Sequence, residues 1–134
     1  MDWKYPARLK NVEQVCSAAL QALEKHALRK EDRFAVELLL REALNNAVIH
    51  GCHQNPRLSF SCRLLISDRQ VIIEVSDEGP GFDWRRKSGV SPDHSAESGR
   101  GLPIYALYAQ STKFNDAGNC VTLTRIFNRG EQHG

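Results

Sequence analysis

Phe34-Ala35-Val36-Glu37-Leu38-Leu39-Leu40-Arg41-Glu42-Ala43-Leu44-Asn45-Asn46-Ala47-Val48-Ile49-His50 reads as one buried helix that carries a polar file. Glu42, Asn46 and His50 fall four residues apart, so an unbroken helix presents them on one face, a turn from each other. Leu39, Ala43, Ala47 and Val48 flank them. A buried polar group without a partner costs about 1–3 kcal/mol. A carboxylate, an amide and an imidazole in such a setting therefore call for a partner, and that partner need not be protein.

Outward from this helix, Asp32 within Lys30-Glu31-Asp32-Arg33 is the expected cap at its start. Gly51, followed by Asn55-Pro56, is the expected stop. Upstream, Trp3 to Leu9 fits a short edge strand, where Pro6 is tolerated. Val12, Val15, Cys16, Ala19, Leu20 and Leu23 then follow a helical period. Downstream, Leu58, Phe60, Cys62, Leu64 and Ile66 alternate as one buried strand face. Ser67-Asp68-Arg69-Gln70 is turn chemistry, and Val71, Ile73 and Val75 form the buried face of a returning strand. Counting on by two places Asp77 on that same buried side.

From Glu78 to Arg100 no period is sustained, and Gly79, Pro80, Gly81, Gly89, Pro92 and Gly99 break the chain. A loop of that length inside a compact domain is usually functional or disordered. Leu102 to Ala109 is helical again, with Pro103 suited to a first turn. Ser111 to Phe114 and Cys120 to Phe127 form a last hairpin around Asn115-Asp116-Ala117-Gly118-Asn119, and the polar tail 128–134 is expected to fray. The expected fold is α+β: a two-layer sandwich, mostly antiparallel sheet, with helices on one face, in a single domain over 1–134.

Composition narrows the function classes. The chain has 134 residues, 41% hydrophobic and 25% charged, and a net charge of +2 from 18 basic and 16 acidic side chains. That balance gives no electrostatic case for direct nucleic-acid or membrane binding. Met1-Asp2-Trp3-Lys4-Tyr5-Pro6 lacks the apolar run of a signal peptide, and no stretch has the length of a membrane span. The four scattered cysteines, Cys16, Cys52, Cys62 and Cys120, contain no CxxC pair and suit reduced thiols in a cytoplasmic protein.

Three segments hold the candidate chemistry. Ser98-Gly99-Arg100-Gly101-Leu102 opens a helix, where free backbone N–H groups and the positive helix end suit phosphate. Asp77 could accept hydrogen bonds from an exocyclic amine such as that of adenine, with Gly79 and Gly81 clearing room for a flat ring. The same residues also fit an ordinary strand-end Asp starting a Gly-Pro-Gly turn. Asn46 offers a neutral oxygen to a hard cation such as magnesium, and Glu42 lies where it could take a proton from an attacking hydroxyl. Both could equally bond Asn45, Arg41 or backbone groups. His50, Cys52 and His53 fall short of the ligand spacing of a zinc site.

Together these segments resemble a family. Glu42-Ala43-Leu44-Asn45-Asn46-Ala47-Val48-Ile49-His50 resembles the N-box of the GHKL (Bergerat-fold) ATPases. Asp77-Glu78-Gly79-Pro80-Gly81 resembles their DxGxG box, and Gly99-Arg100-Gly101-Leu102 their GxGL box. All three come in family order and span about residues 30–127. The EAxxNAxxH form and the short lid are similar to those of the stand-alone anti-sigma-factor serine kinases of the RsbW and SpoIIAB type.

That resemblance implies a bacterial partner switch with ATP and Mg2+ as cofactors. The kinase holds a sigma factor or another target, and phosphorylates a Ser or Thr on a STAS-domain anti-anti-sigma factor. It implies Glu42 as general base and Asn46 as magnesium ligand. Asp77 would read the adenine amine beside Gly79 and Gly81, and Gly99, Arg100, Gly101 and Leu102 would line the phosphates. An ATP lid is implied over about 82–98, with Arg85, Arg86 and Lys87 near phosphate or partner, and so is a homodimer. One departure stands out. Family members often carry Thr after the last hairpin's glycine, whereas Gly118 is followed here by Asn119 and Cys120. The alternative function is a catalytically silent module of the same fold that holds ATP or ADP and a partner.

Overall fold

The computed structural model describes residues 1–83 and 102–127. Strand β1 (Asp2–Pro6) leads into helix α1 (Leu9–Glu24) and helix α2 (Lys30–Asn46), which continues as a π-helical turn (Ala47–Gly51). Strands β2 (Ser59–Ile66) and β3 (Gln70–Asp77) follow. Helix α3 (Leu102–Tyr108) and strands β4 (Ser111–Phe114) and β5 (Cys120–Ile126) complete the described part. The sheet order is β1-β2-β3-β5-β4, antiparallel at every pairing. It is the expected α+β sandwich, with the helices packed on one face.

Alternation in the strands sets which face they cover. Phe60, Cys62 and Leu64 of β2, Val71, Ile73 and Val75 of β3, and Val121 and Leu123 of β5 are all buried. They meet Val12, Val15, Cys16, Ala19 and Leu23 of α1, and Val36, Leu39, Leu40, Ala43 and Leu44 of α2, in one core cluster. Each such Leu, Ile or Val contributes about 1.5–3 kcal/mol by leaving water. Burial of the Cys16 and Cys62 thiols in this core pushes their pKa up, to about 11 and about 12. Both therefore stay protonated and unreactive at neutral pH. All four cysteines are free thiols.

Two local expectations are corrected. Asp32 does not cap α2, because the cap position is Arg29 and no side chain caps it. Asp32 lies instead inside the first turn, with 1% exposure, and its Oδ1 accepts hydrogen bonds from Arg125 Nε at 3.1 Å and Nη2 at 2.9 Å. Arg125 also donates through Nη1 to the Tyr108 carbonyl at 2.9 Å. One guanidinium thus ties the start of α2 and the end of α3 to β5.

The second correction concerns the long helix. Its α-helical geometry ends at Asn46, and Cys52 N–H reaches back to the Ala47 carbonyl at 2.8 Å, the five-residue bond of a π turn. The wider turn shifts the helical register beyond Asn46, and His50 is exposed. The chain then reverses through His53 and Gln54, both with positive φ (54° and 58°), a conformation that costs non-glycine residues energy. The π turn's product is position: it carries Gly51 onto the end of β3.

Candidate nucleotide site

Gly51, Asp77 and Gly79 form a tight node. A Cβ on Gly51 would lie 2.4 Å from Asp77 Oδ2, and one on Gly79 would lie 1.9 Å from the Gly51 carbonyl oxygen. Neither position admits a side chain, so the Asp77 carboxylate rests directly against backbone. Its Oδ1 accepts the Gly79 N–H at 2.8 Å, which aims the carboxylate along the turn. The sequence reading treated Gly51 only as a helix stop; its contact with Asp77 is across the fold and has no local signal. Gly51→Ala is expected to cost about 1–3 kcal/mol, as overpacked buried positions do, measured by urea denaturation. An unchanged urea midpoint would contradict the packing described.

A second turn closes over the first. Asn115 Oδ1 accepts the N–H groups of Gly118, Asn119 and Cys120 at 2.8, 3.0 and 3.2 Å, which fixes the β4–β5 turn. Gly81 takes a φ of +84° and passes so near that turn that a Cβ would lie 1.9 Å from the Ala117 carbonyl oxygen. Asn119 stitches the two turns together. Its Nδ2 donates to the Gly79 carbonyl at 3.1 Å, and its own carbonyl accepts the Asp77 N–H at 2.9 Å. Asn119 Oδ1 accepts from Asn115 Nδ2 at 2.7 Å, so both ends of its amide are engaged within the protein. The residue standing where relatives often have Thr is thus built into the wall.

Between this double turn and α2 lies a small cleft of about 30 Å³, open to solvent. Asn46 and Ala43 line it from the helix, Asp77 and Val75 from β3, and Phe82, Phe114 and Tyr105 add aromatic walls. Phe82 meets Phe114 edge to face, with centroids 5.3 Å apart. Mostly apolar walls with a few convergent polar groups are the usual make-up of a small-molecule site. Asn46 Nδ2 donates to the Tyr105 hydroxyl at 3.1 Å. Glu42 stands one turn earlier on α2, half-buried, and among the described residues no side chain hydrogen-bonds or pairs with it.

Asn46 and Asp77, distant in sequence, therefore border one cleft, whereas Gly79 packs against Gly51 and Gly81 against Ala117 without lining it. Leu102 is the first residue of α3. Gly99, Arg100 and Gly101 lie outside the described residues, as do Arg85, Arg86, Lys87 and the lid expected over about 82–98 beyond Asp83. Gly51, Tyr105, Phe82 and Phe114 were not singled out from sequence. Only the fold shows that the aromatic residues among them line the cleft. Nearby, the Cys52 and Cys120 thiols are held above their ordinary pKa, in both cases mainly by burial, with the negative charge of Asp77 adding to it.

A wholly antiparallel sheet backed by helices on one face, with a glycine-bordered cleft between a helix and the strand-end turns, is the architecture of a Bergerat-type ATPase domain. Residues 5–125 match the family model of the histidine kinase-like ATPase domain, and the chain belongs to that family. Among characterised proteins it is similar to an anti-sigma F factor of Oceanobacillus iheyensis. The two are 24% identical over 103 residues, which cover 72% of this chain and 70% of that protein. No helix among the described residues is long and apolar enough to cross a membrane.

Proposed function

We propose that this protein is an ATP-dependent serine/threonine protein kinase acting as an anti-sigma factor in a bacterial partner switch. It would hold a sigma factor or other target, and phosphorylate a Ser or Thr of a STAS-domain antagonist. The observation that carries the reading is the pairing of Asn46, on the cleft wall, with a half-buried Glu42 one turn away that has no partner among the described residues. Family membership and the likeness to an anti-sigma F factor support it.

The residues present fit the nucleotide. Asp77 supplies an acceptor for an amine, its carboxylate held against the turn by the Gly79 N–H. Asn46 supplies an oxygen donor, which suits magnesium; bound there, the ion would neutralise phosphate charge. Asn46 would hold it, and Glu42 would take the proton from the attacking hydroxyl. Gly99, Arg100, Gly101 and Leu102 would line the phosphates, under a lid over about 82–98 in a single domain of residues 1–134. The protein is expected to act as a homodimer.

The direct test is phosphate transfer from radiolabelled ATP to STAS-domain proteins of the same genome. Label on one of them at Ser or Thr supports the kinase. Nucleotide binding without label on any of them would identify a silent, partner-holding module instead.

A further inference from the structure

We infer that Tyr105 is a positioning residue: its hydroxyl sets the orientation of the Asn46 amide so that the amide oxygen faces the cleft. The inference rests on the proposed role of Asn46 and extends it to a residue outside every motif of the sequence reading.

A side-chain amide has an acceptor end and a donor end, and only the oxygen can bind a cation. If Oδ1 is to serve magnesium, Nδ2 must turn elsewhere and find an acceptor, since a half-buried N–H without one is costly. The structure supplies that acceptor. Tyr105 is 2% exposed, with its ring locked in the core cluster. Its hydroxyl accepts from Asn46 Nδ2 at 3.1 Å, and both residues line the same cleft. A hydroxyl can accept here without competing for the ion, and the buried ring leaves it little freedom to move. Phenylalanine at this position would fill the same core space and leave Nδ2 without that acceptor. Because α3 starts at Leu102, the bond also links the helix that follows the glycine-rich segment to the proposed metal ligand.

The test is calorimetric titration of the full chain with ADP, in magnesium and in EDTA, for wild type, Tyr105→Phe and Asn46→Ala. Tyr105→Phe is expected to weaken binding about two- to tenfold in magnesium, the loss of one modest hydrogen bond, and to leave binding in EDTA unchanged. Asn46→Ala is expected to lose the magnesium preference. Two results for Tyr105→Phe overturn the inference while the Asn46 reading stands: no change in either condition, or equal losses in both, which marks a packing role alone. An Asn46→Ala protein that keeps its magnesium preference overturns both readings.

Discussion

Glu42→Gln is expected to lower phosphate transfer by about a hundred- to ten-thousand-fold, while nucleotide affinity stays unchanged. Glutamine has the shape of glutamate but cannot take a proton. Glu42 is half-buried, a full turn from Asn46, and is not among the residues lining the described cleft. Its loss should therefore fall on the chemical step, and little on binding. Single-turnover transfer to the STAS-domain substrate, beside a nucleotide titration, separates the two. Transfer at the normal rate would remove Glu42 from the mechanism. Loss of both transfer and binding would make it part of the binding wall instead.

The second large effect concerns the frame. Arg125→Ala is expected to destabilise the fold by about 3–5 kcal/mol, because it leaves a buried carboxylate unpaired. Asp32 is 2% exposed at its side chain and Arg125 16%, and they pair at 2.9 Å. Domains of this kind have about 5–15 kcal/mol in total, so the variant would unfold at markedly lower urea. The paired replacement Asp32→Leu with Arg125→Met removes both charges and should recover much of the loss, since an apolar pair of similar size avoids desolvation. Equal urea midpoints for wild type and Arg125→Ala would show that the pair contributes nothing. The pair matters to function through geometry, as it fixes the start of the helix bearing Glu42 and Asn46 and the end of the helix bearing Tyr105.

Some of this was legible in the residues. Period-two alternation in 58–66 and 71–77 placed Asp77 on the buried side, and register confirms it, with Phe60 opposite Asp77. Such patterns are local, and local periodicity reports which face a residue occupies. What meets that face is a matter of contacts across the chain. Asp32 looked like a cap because caps and buried ion pairs draw on the same residue type at a helix start; its partner lies 93 residues away. His50 was placed in the file by α-helical spacing, and it is exposed. A single π turn changes that register without altering the apolar pattern enough to be read. The contacts of Gly51 and Tyr105 at the site were invisible for the same reason: one matters there through a missing Cβ, the other through a hydroxyl reaching a helix distant in sequence.

The central claim is that the cleft between α2 and the Asp77–Gly81 turn binds an adenine nucleotide. Thermal melting with and without MgATP, for wild type and Asp77→Asn, tests it most directly. Asparagine keeps an acceptor for the Gly79 N–H but weakens the recognition of an amine. At a hundredfold excess over Kd, ligand binding stabilises the native state by about 2.7 kcal/mol, a rise in Tm on the order of 10 °C for a domain of this size. Wild type should show that rise, and Asp77→Asn should lose most of it. A wild-type melting curve unmoved by millimolar MgATP would contradict the account.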